Sequence, residues 1–353
     1  MAAERGRGRG GLHRLPPGGR DGQVRARDAA AGRRRRVRGH RRGRRQDLRL
    51  PGDRGRPGGQ RERAGQRGPH RGAVSRFYKL SGSGNDFLAL AEPAQPPGPE
   101  TIRAWCRRGV SLGGDGLFLL RRAEGGVVME YFNSDGYLAD LCLNGTRCAA
   151  QLAFHLGWAE GSVRLRTGAG EVFARRVDES RVAVELPVPA EPPQEMTVEA
   201  GGALWTGYQL LVGVPHFVVL WASGLETVPV RELGALLRRH PAFGPPGTNV
   251  NFVRFPSQDR MEIRTYERGV EDETLSCGSG VLAGSAVGIF LGRARFPLHV
   301  TTQGGFELEV TDLPGWRWSL AGDARVVAEG ELLAGALASP APPPWAAAGA
   351  PLA

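Results

Sequence analysis

Two short stretches of this chain carry residues suited to moving a proton at carbon. Cys142-Leu143-Asn144-Gly145 and Cys277-Gly278-Ser279-Gly280 each set a cysteine ahead of small residues, and each runs into a segment with helical spacing. A cysteine at a helix start sits among unsatisfied backbone N–H groups at the positive end of the helix dipole. That setting favours the thiolate and predicts a pKa below the reference of about 8.5. The same N–H groups bind a carboxylate. Two such mouths aimed at one point would hold a carboxylate with one sulfur on each side. A thiolate then removes the proton from one face of the neighbouring carbon, and a thiol delivers one to the other face. A thiol pKa lies close enough to ambient for both roles, and the carbanion-like transition state gains from the N–H donors.

The other two cysteines, Cys106 and Cys148, read as small core hydrophobes. Cys148 shares a helical stripe with Leu152 and Leu156. No C-x-x-C or Cys/His metal spacing occurs, so free thiols in a reducing compartment are expected, with no metal and a cytoplasmic location. Lys79 is the only lysine and precedes a turn, and no phosphate-cradling loop is evident. That context does not suit pyridoxal chemistry, and no cofactor is expected.

Holding two helix mouths face to face requires two similar frames, and the sequence repeats one. In the first half, strands are expected at 77–80, 87–90, 117–120 and 127–132, with a short helix at 100–108. A helix at 144–156 is stopped by Gly157, and strands follow at 163–166, 171–176 and 182–186. The second half has strands at 208–212, 217–221, 251–255 and 261–266 and helices at 230–239 and 278–291, the latter stopped by Gly292. Strands at 298–301, 306–310 and 317–320 complete it. One strand ends in Tyr131-Phe132-Asn133 and its echo in Thr265-Tyr266-Glu267, each about ten residues before its cysteine. The Pro-rich stretch 187–193 suggests a boundary, giving lobes at 76–190 and 191–330 and a loose Pro/Ala-rich tail at 331–353.

The net charge of +11 suggests a nucleic-acid partner until it is located. Residues 1–75 hold 23 arginines, no lysine and 6 acids, a net of +17, which leaves −6 on the rest. This Arg/Gly-rich arm lacks the apolar content to fold and is expected to be disordered. No Phe or Tyr interleaves its arginines for base stacking. A start codon at Val74 is a second explanation of the arm, and nucleic-acid binding through it is the rival function from another class. No apolar run is long enough for a membrane span, and no Sec or Tat signal can be built from the first residues.

The motifs resemble the diaminopimelate epimerase family. They are Ser83-Gly84-Asn85-Asp86-Phe87, Gly113-Gly114-Asp115-Gly116, Phe132-Asn133-Ser134-Asp135-Gly136 and the segment Cys142 to Cys148. Gly213-Val214-Pro215-His216, Thr248-Asn249-Val250-Asn251-Phe252 and Tyr266-Glu267-Arg268-Gly269 follow, running to Cys277-Gly278-Ser279-Gly280. The resemblance implies an α/β (α+β) fold of two pseudo-symmetric lobes. Each is a curled, mainly antiparallel sheet wrapped around a central helix, with the active site in the cleft between them. It implies that Cys142 and Cys277 are the acid/base pair, and that backbone N–H groups at Leu143, Asn144, Gly278 and Ser279 hold the reacting carboxylate. Asn85, Asn133, Asn249, Glu267 and Arg268 would recognise the substrate, mainly its distal end, and His216 and Glu267 would tune the thiols. The implied reaction interconverts LL- and meso-diaminopimelate for lysine and peptidoglycan precursors, in a homodimer.

Three positions depart from the family pattern: Leu143 where Gly is usual, Val214 where many members have Asn, and Gly116 where some have Gln. They touch substrate recognition rather than proton transfer. A related cofactor-independent racemase acting on proline, hydroxyproline or histidine is therefore the nearest alternative. If the two sulfurs lie close, an oxidant should join them in an inactivating disulfide.

Overall fold

The computed structural model describes residues 76–139 and 141–333; the Arg-rich arm and the end of the expected tail lie outside the described residues. The first half of the chain forms β1 (Arg76–Gly82), β2 (Asn85–Ala91), α1 (Pro99–Cys106), β3 (Gly116–Ala123), β4 (Gly126–Asn133) and the short β5 (Leu138–Ala139). Helix α2 (Leu143–His155) follows, then β6 (Ser162–Thr167), β7 (Gly170–Arg176) and β8 (Arg181–Pro187). The second half forms β9 (Gln194–Ala200), β10 (Ala203–Val212), β11 (Val214–Leu220), α3 (Val230–Arg238), β12 (Asn249–Ser257), β13 (Arg260–Glu267) and β14 (Asp272–Thr274). It ends with α4 (Gly278–Phe290), β15 (Leu298–Thr302), β16 (Glu307–Leu313), β17 (Arg317–Asp323) and β18 (Arg325–Glu331). The expected helices and strands are all present, with ends shifted by a few residues.

Strand pairing turns the sequence echo into a structural repeat. From its edge, the first lobe runs β18–β1–β2–β3–β4–β6–β7–β8. Successive pairs are antiparallel, antiparallel, parallel, antiparallel, parallel, antiparallel and antiparallel. The second lobe runs β9–β10–β11–β12–β13–β15–β16–β17 with the same succession of directions. Strands β8 and β17 pair antiparallel from Arg181↔Asp323 to Pro187↔Arg317, which makes the two lobes one continuous sheet.

The last strand does not stay with the half of the sequence that precedes it. Ala324 separates β17 from β18, and β18 then pairs with β1, so the chain closes the first lobe after completing the second. The Pro-rich stretch marks the outward crossing only. Strands β9 and β18, with the short β5 and β14, are not among those expected from the sequence. Both β9 and β18 lie at the ends of the sheet and expose much of their length, so their hydrophobic signal is weak.

Each central helix is buried because a sheet curls around it. Helix α2 touches all eight strands of its lobe. Its side chains from Leu143 to Phe154 are buried, including Asn144, Thr146, Arg147 and Gln151. Helix α4 is nearly all apolar, as an encircled helix should be. Small residues let it sit close to the strands: a Cβ on Gly284 would lie 2.9 Å from the Met261 sulfur, and one on Gly288 2.6 Å from the Phe255 ring. Helices α1 and α3 cover outer faces. Ile102 and Trp105 pack with Leu88, Leu90, Leu117 and Leu119, and Leu233 and Leu237 pack with Phe217, Val219, Val250 and Phe252. Strands β2, β3, β11 and β12 are thus covered on both sides and read as nearly unbroken apolar runs. Each fully buried Leu or Phe contributes about 1.5–3 kcal/mol.

Candidate active site

The two cysteines occupy the same place in the repeat. Each follows a strand end, a turn and a short paired strand, and each is the N-cap of its lobe's central helix. Cys142 has φ −129° and ψ 110°, Cys277 φ −123° and ψ 110°. The Gly145 N–H donates to the Cys142 sulfur at 3.4 Å, and the Cys277 sulfur lies 3.5 Å from the Ser279 hydroxyl. N–H groups of Leu143, Asn144, Gly278 and Ser279 fall in the first turns, where a helix has no internal acceptor to offer.

The two mouths meet. Gly278 faces Leu143 so closely that a Cβ at 278 would stand 2.9 Å from that of Leu143. The Asn144 amide donates across the lobe junction to the Ser276 carbonyl at 3.3 Å and to the Asn85 side-chain oxygen at 2.7 Å. Asn85 in turn donates to Asp115 at 3.0 Å. A tight turn delivers it, with Ser83 and Gly84 both in the left-handed region at φ 48° and 93°. Behind that turn, Asp86 is gripped by Lys79 at 2.6 Å and by Arg108, which also reaches Asp115 at 2.7 Å.

Burial overturns the expectation that the helix termini lower the thiol pKa values. Loss of solvent pushes Cys142 up to about 11 although the Gly145 and Asn144 N–H groups pull it down. Cys277 is 7% exposed and is raised further, first by burial and then by the negative charge of Glu267. Both sulfurs hold their protons at neutral pH, because one or two N–H dipoles do not replace a lost hydration shell.

The expected helper residues divide. Glu267 ends β13 beside Cys277, and its Oε2 accepts from the Thr274 hydroxyl at 3.0 Å. Burial raises its carboxyl. Asn249 is buried and accepts the Arg268 backbone N–H at 2.7 Å, while the Arg268 guanidinium makes no ion pair among the described residues. Asn133 is exposed at the end of β4. His216 makes no hydrogen bond to a sulfur among the described residues. Its Nδ1 accepts from the Asn251 amide at 3.0 Å, and the Asn251 oxygen accepts from the Thr265 hydroxyl at 3.0 Å. That chain of roles leaves the proton on Nε2, which is buried without a partner among the described residues. Burial lowers this imidazole to about 3, so it is neutral.

Sequence reading missed several participants. The Tyr131 hydroxyl lies beside the Cys142 sulfur, in space left open by Gly116, where a Cβ would stand 2.7 Å from it. Thr274 donates to Glu267, and the Ser276 carbonyl accepts from Asn144 at the junction. Asp115 sits in a noted motif without an assigned task, as does Arg147. For Tyr131 the available signal is its repeat position, since it echoes Thr265. Among the described residues no group of three or more His, Cys, Asp or Glu is arranged to hold a metal.

Paired sheet-wrapped lobes meeting at two helix mouths define a two-lobed α/β class with solved members. A putative phenazine biosynthesis PhzC/PhzF protein from Clostridium difficile aligns with a TM-score of 0.58 and 14% identity, covering 74% of this chain and 100% of that one. A probable proline racemase from Agrobacterium radiobacter K84 aligns at 0.56 and 15%, covering 74% of this chain and 93% of that one. These identities show a shared fold alone. Sequence comparison is more specific. The family model for diaminopimelate epimerase matches residues 77–187 and 208–327. The diaminopimelate epimerase of Aquifex aeolicus is 38% identical over 249 residues, 66% of this chain and 88% of that protein. The chain belongs to the diaminopimelate epimerase family.

Proposed function

We infer that this protein is a diaminopimelate epimerase, an isomerase that interconverts the LL and meso forms by moving one Cα proton between two sulfurs. The observation that carries this reading is the contact between two helix mouths with a cysteine at each N-cap. A substrate carboxylate at the junction receives N–H groups from Leu143, Asn144, Gly278 and Ser279. Its Cα then lies between Cys142 and Cys277. The α-ammonium brings a positive charge into a site where burial holds both thiols neutral, so binding promotes formation of the one thiolate the reaction needs. That thiolate takes the proton from one face, and the opposite thiol supplies one to the other. Glu267, beside Cys277, accepts and returns the proton of that thiol. His216 acts on Cys277 indirectly, through Asn251 and Thr265 beneath the first turn of α4.

The distal amino-acid end falls to Asn85, Asn133, Asn249, Glu267 and Arg268. The guanidinium of Arg268, without an ion pair among the described residues, suits a second carboxylate, which it can grip with two N–H groups. Proline has no such end, and this favours diaminopimelate over the proline-type alternative. The family resemblance also supports a homodimer acting in the cytoplasm, the former open to a sedimentation measurement. Cα–H exchange in deuterated water, followed across diaminopimelate, proline, hydroxyproline and histidine, tests the substrate. Exchange is expected with diaminopimelate, and exchange with proline alone would replace this reading by the racemase one.

A further inference from the structure

Arg147 lies in the interior behind the Cys142 mouth, with a side chain 0% exposed. One terminal nitrogen donates to the Asn144 side-chain oxygen at 2.6 Å and to the Ser83 hydroxyl at 2.9 Å. Its Nε and the other terminal nitrogen have no partner among the described residues. The guanidinium lies against Gly322, where a Cβ would stand 3.2 Å from Nε and Cζ. No described carboxylate pairs with it. Asp323, whose charge it feels across the lobe, is already engaged by the Ser83 N–H at 3.1 Å and by Arg325 at 2.7 Å.

Burying a cation with neither a counter-ion nor a full set of acceptors costs several kcal/mol. The fold does not require one at this point. Five residues past the other cysteine, the matching position of α4 holds Leu282, which is 3% exposed. Something else must offset the cost in the first lobe. The atoms that Arg147 orients belong to the site: Asn144 supplies a first-turn N–H, reaches Asn85 and spans to Ser276 of the second lobe. The anions that form there are the Cys142 thiolate and the bound carboxylate.

We infer that Arg147 is a positioning residue for the Asn144 bridge, and that its unpaired charge is the fixed counter-charge for the anion formed at the Cys142 mouth. The groups facing it are Cys142 and Cys148 on α2, Asp323 at the end of β17 and Ser83 in the β1–β2 turn; Arg325 acts on Cys148, and Glu267 acts on Cys142 from β13. Burial is the largest influence on Cys142 and raises it, as does the charge of Glu267, while Arg147 acts with the Gly145 and Asn144 N–H groups in the opposite direction. The inference rests on Cys142 being a reacting sulfur, but not on which amino acid is the substrate.

The test is the pH profile of iodoacetamide alkylation at Cys142, read by peptide mass spectrometry in the full chain and compared with Cys277. Arg147→Met should move the Cys142 midpoint upward by about one pH unit, a roughly tenfold slower alkylation at fixed pH, with a smaller change at Cys277. Arg147→Lys keeps a cation but not the fork. It should hold the Cys142 midpoint while lowering kcat through the loosened Asn144. An unmoved midpoint in Arg147→Met, or equal displacement in both variants, overturns the inference. Should Arg147→Met fail to fold, Asp323→Asn reads the same charge balance with opposite sign: the midpoint is expected to fall, and an unmoved one is equally fatal. Because alkylation needs no turnover, a Cys142 profile that follows Arg147 supports the inference even in a chain inactive toward diaminopimelate.

Discussion

The first and second lobes share strand order, strand direction and the backbone angles of their cysteines, yet they fill the space beneath those cysteines differently. The register aligns Phe87 with His216, Phe118 with Asn251, and Tyr131 with Thr265. In the first lobe these positions form an aromatic cluster, with ring centroids 6.3 Å apart for Phe87–Phe118 and 6.0 Å for Phe87–Tyr131. In the second they form the hydrogen-bonded chain from Thr265 through Asn251 to His216. The helices compensate in reverse: α2 carries Asn144 and Arg147 where α4 carries the smaller Ser279 and the apolar Leu282. Polar groups thus reach the first site from its helix and the second from its sheet.

The consequence is an uneven electrostatic setting for two sulfurs that both hold their protons at neutral pH. Cys142 has the Gly145 N–H, the Tyr131 hydroxyl and Arg147 near it, and it feels the negative charge of Glu267 as well. Cys277 lies beside Glu267, whose charge is its largest influence after burial, while the Ser279 hydroxyl and the Gly280 N–H pull the other way. A reaction that moves a proton from one side to the other needs one site ready to take it and one ready to give it. In the proposed reaction the two cysteines exchange these roles within a shared frame.

Removing either sulfur has the largest expected effect. Cys142→Ala or Cys277→Ala should lower epimerisation by on the order of 10²–10⁴-fold, the usual contribution of a positioned acid or base, measured as kcat on purified protein. Near-normal activity in either variant ends the two-base account. The fillings beneath the cysteines should then separate in stability. Phe118→Ala leaves a cavity in the aromatic cluster and should cost about 3–5 kcal/mol in urea unfolding. Asn251→Leu strands His216 and Thr265 and should cost about 1–3 kcal/mol. The reverse order would mean that the polar chain, not the packing, holds its lobe.

Alkylation gives a smaller and more selective contrast. With Cys142 raised by burial to about 11 and Cys277 raised further, iodoacetamide should label Cys142 first, and faster as pH rises toward that value. Preferential labelling of Cys277 would reverse the assignment. Tyr131→Phe keeps the ring and removes one hydroxyl. It should slow Cys142 alkylation only severalfold, in line with the loss of about 0.5–1.5 kcal/mol for one hydrogen-bonding group.

The cysteine pair, both central helices and their glycine stops are legible in the sequence because they depend on local spacing: Gly157 and Gly292 end α2 and α4 at φ 68° and 67°. The return of β18 to β1 is not, since pairing across about 250 residues leaves no local pattern. The thiol pKa values run opposite to the expected direction because a helix terminus can be seen in sequence and a lost hydration shell cannot. Arg147 stands inside a recognised motif, but its burial and its lack of a carboxylate partner exist only in three dimensions.

The most direct test of two sulfurs working on opposite faces is the early fate of solvent label. LL-diaminopimelate is converted in deuterated water, and product and remaining substrate are compared before the reaction has gone far. Deuterium should enter at Cα of the meso product while the remaining LL substrate stays unlabelled, because the proton removed by one sulfur is not the one returned by the other. Equal early labelling of the remaining substrate would show a single base serving both faces and would contradict the account.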